Sequence, residues 1–89
     1  MKTVVLNCES YMNMGDFYDE LSDKLGFPSY FGRNFDALRD CLCELGEDVC
    51  LVLKNCKSFE ERIGVKFAVL KRVLNDVVRE NPAVRVAII

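Results

Sequence analysis

Three short apolar runs limit what this chain can fold into: KTVVLN near the start, DVCLVL in the middle and VRVAII at the end. Each is rich in β-branched residues and reads as a strand. The stretches between them are too long for hairpin turns and carry helical periodicity. Crossovers of this kind make the strands parallel, with right-handed connections. The near-continuous hydrophobicity of the strands suits cover on both faces, or on one face and an edge.

The intervening helices have readable ends. In MGDFYDELSDKLGF, Phe17, Leu21 and Leu25 recur every fourth residue, with Asp16, Asp19, Glu20 and Asp23 opposite, and Gly26 ends the run. From Asn34 onward, Phe35, Leu38, Leu42 and Leu45 form one stripe, and the Asn34 side chain can accept from the free N–H groups of the first turn. Ser58-Phe59-Glu60-Glu61 has capping-box spacing, opening a short helix that Gly64 closes. VKFAVLKRVLNDVVREN then sets Phe67, Leu70, Leu74, Val77 and Val78 on one side, until Pro82 stops the helix. The expected fold is α/β: a small three-stranded parallel sheet flanked by about four helices, in two or three layers, as a single domain over residues 1–89. The pattern leaves strand order open.

Composition narrows the function. With 89 residues, 51% of them hydrophobic, the chain has material for one modest core. A net charge of −2 argues against direct nucleic-acid binding. That charge is uneven: Arg33 to Asp48 holds Arg33 and Arg39 against Asp36, Asp40, Glu44, Glu47 and Asp48, a net −3. There is no histidine to act as a base near neutral pH. No phosphate-cradling glycine motif is present, and a domain of this size leaves little room for a sugar cleft between two carboxylates.

The five cysteines include no CxxC pair, and no histidine completes a mixed zinc site. They are expected to be reduced, buried, structural thiols, with no metal and no cofactor. A thiol nucleophile needs a depressed pKa, which carboxylates near Cys41 and Cys43 oppose. An enzyme is therefore not expected. MKTVVLN lacks the apolar run of a signal peptide, and VCLVL falls far short of a membrane span. A cytoplasmic protein without membrane contact is the expectation.

The segment PSYFGRNFDALRDCL carries the remaining signal. Asp36, Asp40 and Glu44 fall a turn apart on one helix face, where like charges repel by about 0.2–0.5 kcal/mol per pair. The helix dipole offsets this for Asp36 in the first turn and does little for Asp40. Arg39, three residues from Asp36, is expected to pair with it weakly. By spacing alone this is an ordinary solvated face; the preceding loop, GFPSYFGRN, changes the reading. Pro28 stiffens it, and Gly32 is expected to take a backbone conformation closed to other residues. Phe27 and Phe31 are expected to fold over the core. Tyr30, rigid and half polar beside carboxylates, suits a protein-binding hot spot facing something basic.

These residues resemble the barstar family, intracellular inhibitors of barnase-type ribonucleases. The match rests on Pro28, Tyr30, Phe31, Gly32, Asn34, Asp36, Ala37, Leu38, Asp40, Cys41 and Leu42, and length and element order agree across the chain. The resemblance implies that this helix and loop plug a ribonuclease active site, with carboxylates taking the places of RNA phosphates. Asp40 would sit deepest, in the scissile-phosphate pocket. Asp36 would pair with a neighbouring arginine, Tyr30 would pack on the catalytic histidine, and Gly32 would permit close approach.

Asp76 falls where the family often has a glutamate reaching a further basic residue; a local pair with Arg72 or Arg79 is the competing account. The candidate partner-binding set is thus Tyr30, Gly32, Asn34, Asp36, Arg39, Asp40, Glu44 and Asp76. Two residues depart from the best-known member: Arg39 replaces a tryptophan and Arg33 a glutamate, placing positive charge beside the carboxylates. The expected partner is an extracellular ribonuclease of the barnase type, met by a monomer. The alternative is a module of the same fold that docks a different basic protein.

Overall fold

The computed structural model describes all residues, Met1–Ile89. Strand β1 (Lys2–Asn7) runs into a 3₁₀ turn (Cys8–Ser10), then helices α1 (Met14–Leu25) and α2 (Phe35–Cys43). Strand β2 (Val49–Lys54) follows, then α3 (Lys57–Ile63), α4 (Val65–Glu80) and β3 (Val84–Ile88). The strands are parallel in the order β1-β2-β3, with Val4 opposite Leu51 and Leu51 opposite Val86. Strand order thus follows chain order, and each crossover passes over one face of the sheet.

One face of the sheet is covered, and the other is open. Val4, Leu6, Val49, Leu51, Leu53 and Val84 are buried, while their alternates Thr3, Val5, Asn7, Cys50, Val52 and Arg85 are exposed or half-exposed. The architecture therefore has two layers. Apolar residues such as Val5 and Val52 on the open face kept the alternation from being visible in the sequence.

The helices bury the stripes their spacing indicated. Phe17 and Leu21 of α1, Leu38 and Leu42 of α2, and Leu70, Leu74 and Val77 of α4 are almost fully enclosed. Val78 is the exception: it lies at the stripe's edge, beside Arg79 on an open surface, and is exposed. Gly26 ends α1 in the left-handed conformation, φ 67°. Asn81, immediately before Pro82, turns extended and ends α4.

Ser58 does not cap α3. Cys56 occupies the cap position with helical dihedrals, and its carbonyl already accepts from Glu60 N–H at 2.7 Å, so the helix is under way before Ser58. Of the cysteines, Cys8 and Cys56 are buried, while Cys41, Cys43 and Cys50 are only half-buried.

Candidate protein-docking site

Helix α2 is anchored from inside and bare on the outside. Leu38 and Leu42 are fully buried, and Asn34 caps the first turn, its Oδ1 accepting from Ala37 N–H at 2.8 Å. With the apolar side fixed, the helical repeat directs Asp36, Asp40 and Glu44 outward, and all three are exposed.

The preceding loop is shaped by its aromatics. Phe31 packs edge-on against Tyr18 at 5.8 Å and Phe27 at 5.0 Å, and both phenylalanines lie against the core. Turning them inward leaves Tyr30 pointing out, 85% exposed. Between the loop and α2 lies a depression of about 220 Å³ lined by Tyr30, Phe31, Gly32, Asp40, Cys41 and Glu44.

Gly32 does not take the left-handed conformation; Arg33 does, with φ 53°. The requirement at Gly32 is space. A Cβ there would lie 3.1 Å from Asn34 Nδ2 and 3.4 Å from Ala37 Cβ, crowding the cap of α2.

The arginines are the main surprise. Arg39 does not pair with Asp36; its guanidinium binds Glu80 at the end of α4. Arg33 turns the other way, to Asp19 of α1 and the Gly15 carbonyl. Arg39 projects from the flank of α2 that packs on α4, and Glu80, across that seam, takes it. Asp36, Asp40 and Glu44 consequently have no ion-pair partner within the chain. Sequence reasoning missed Asp19 and Glu80, because neither is near its arginine in the chain.

Asp76 stands apart from the Tyr30–Asp40 depression. Its carboxylate accepts from Arg79 at 2.6 Å, in a separate open concavity of about 610 Å³ that Lys71, Arg72 and Asn75 also line. The local ion pair with Arg79 does form. One turn further on, Glu80 connects this region to α2 through Arg39.

Neither thiol on α2 is activated. Burial pushes the Cys41 thiol upward, with Glu44 and Asp40 adding to it. Cys43 is raised by burial first and then by its hydrogen bond to Glu80. The direction matches the argument from carboxylates, but desolvation is the larger cause. No group of side chains is arranged to hold a metal ion, and no helix is long and apolar enough to cross a membrane.

Comparison with known proteins shows the family. A Bacillus subtilis (strain 168) protein named "Putative ribonuclease inhibitor YrdF" is 43% identical over 65 residues, covering 72% of this chain and 71% of that protein. The family model described as Barstar (barnase inhibitor) matches residues 1–88. With an acidic α2, an outward tyrosine and a match along nearly its whole length, the chain belongs to the barstar family.

Proposed function

We propose that this protein inhibits a barnase-type ribonuclease by inserting α2 and the Tyr30 loop into the enzyme's basic active site. One observation carries the reading: Asp36, Asp40 and Glu44 face solvent together without an internal counter-ion, although two arginines flank them. Unpaired carboxylates on a rigid helix are pre-organised for a cleft built to hold phosphates, and such charge complementarity speeds association and makes it salt-sensitive. Barnase and barstar themselves associate by such steering.

Asp40 lies between Asp36 and Glu44 on the outward side, which suits it to the deepest position. Asp36 takes a neighbouring cation, and Tyr30 covers the adjoining surface. The raised thiols of Cys41 and Cys43 disfavour catalysis by this face.

The test is RNA cleavage by a barnase-type ribonuclease, titrated with the parent and with the Asp36→Ala/Asp40→Ala variant at low and moderate salt. Stoichiometric inhibition by the parent, lost in the variant, is the expected result. Absence of inhibition at every salt concentration would sink the reading and direct the search to another basic protein.

A further inference from the structure

We propose that Glu80 is a specificity-determining residue that acts by holding Arg39 off the acidic face of α2, with Asp19 doing the same for Arg33. The inference rests on the reading of that face as the docking surface and assigns roles to residues outside it.

The geometry at Arg39 is the stronger of the two cases. A long side chain on a helix leans toward the helix N-terminus, over the preceding turn. For Arg39 that turn holds Asp36, three residues back, within reach of a side-chain pair. Left alone, the guanidinium would settle there and place a positive charge beside Asp40. Instead both oxygens of Glu80 are engaged at the α2–α4 seam: Oε1 accepts from Arg39, and Oε2 accepts from Cys43 Sγ at 3.5 Å.

Glu80 is itself fixed, because it ends α4 next to Asn81, which is buried and bonded to the end of α2. Its carboxylate therefore waits where Arg39 can meet it. The same arrangement recurs just ahead of α2, where Arg33, in its left-handed turn, reaches Asp19 and the Gly15 carbonyl. Two arginines, one ahead of the acidic row and one within it, are thus each held by a carboxylate from a different helix. A basic partner then meets three bare carboxylates, and losing either holding residue would turn an arginine toward it. Like charges brought together across an interface disfavour binding.

The experiment compares Glu80→Gln, Arg39→Gln and the double variant in titrations against a barnase-type ribonuclease. In parallel, NOEs from the Arg39 guanidinium protons are recorded on each free protein that retains Arg39. Glu80→Gln is expected to weaken inhibition about tenfold, as expected for one misplaced like charge. Arg39→Gln should lose far less, and Arg39→Gln/Glu80→Gln should recover most of the loss. An ordinary structural ion pair would instead lose equally from either side, with no recovery in the double variant, and that result overturns the proposal.

If the parent inhibits no such enzyme, the proposed function fails for it, while the NOEs still decide this point. Arg39 contacts moving from the Glu80 side chain in the parent to Asp36 in Glu80→Gln support the holding role. Arg39 remaining away from Asp36 refutes it.

Discussion

Asn81, just past the end of α4, donates from its side chain to the carbonyl of Leu42 near the end of α2, at 3.0 Å. The same Nδ2 lies 3.3 Å from the Cys43 carbonyl and 3.1 Å from that of Leu45. The last carbonyls of a helix lack donors within it, and here one buried amide reaches those of Leu42 and Cys43 together with that of Leu45 just beyond the helix. Asn81 is the one buried residue outside the apolar core, and it ties α2 to the helix carrying Glu80.

Replacing Asn81 with alanine should therefore cost about 1–3 kcal/mol, the range for leaving buried acceptors unsatisfied. Urea unfolding followed by far-UV circular dichroism measures this. Faster amide exchange over Leu42 to Leu45 than over β2 would place the damage at the end of α2.

Asp40→Ala should leave stability within about 0.5 kcal/mol of the parent, because the side chain is exposed and has no partner to lose. Against a barnase-type ribonuclease, the same change should weaken inhibition by about 30-fold or more, the cost of removing one member of a desolvated charge pair. Equal inhibition by parent and variant would remove Asp40 from the site.

Tyr30→Ala separates binding from folding more cleanly still. The ring is 85% exposed, while its neighbours Phe27 and Phe31 pack on the core. Thermal unfolding should be unchanged, and inhibition should weaken by about 2 kcal/mol or more if the ring is a hot spot. Phe31→Ala should show the reverse order, losing stability first.

Alkali should destabilise the fold. Burial pushes the thiols of Cys8, Cys41, Cys43 and Cys56 upward, along with the phenols of Tyr11 and Tyr18. Tyr11 is held further by donating to Glu20 at 2.7 Å. The folded protein thus keeps protons that the unfolded chain releases once pH passes the ordinary thiol value of 9.0. The unfolded state then binds fewer protons, so stability falls as pH rises. This contribution is complete below that value and is lost as pH climbs through the raised folded-state range. Urea midpoints that stay constant from neutral pH into that range would contradict the assignment.

Much of the fold was legible because its signals are local. The β-branched runs became β1, β2 and β3, Asn34 capped α2, and Gly26 and Gly64 closed their helices. Each depends on a few neighbouring residues and on what a dihedral angle or an unpaired N–H allows. Ser58 misled because its spacing fits a cap equally well whether or not the backbone has already entered the helix at Cys56.

By itself, the sequence determined the elements and the row of Asp36, Asp40 and Glu44, since a helix spaced by its apolar stripe must put those carboxylates on its far side. Only the tertiary structure decided that the row is bare. Arg39 has two carboxylates to choose from, Asp36 close in sequence and Glu80 close in space. Packing α2 against α4, fastened by Asn81, brings Glu80 within reach and settles the choice. The partner of a long charged side chain depends on which elements packing brings together, and chain proximity alone does not predict it.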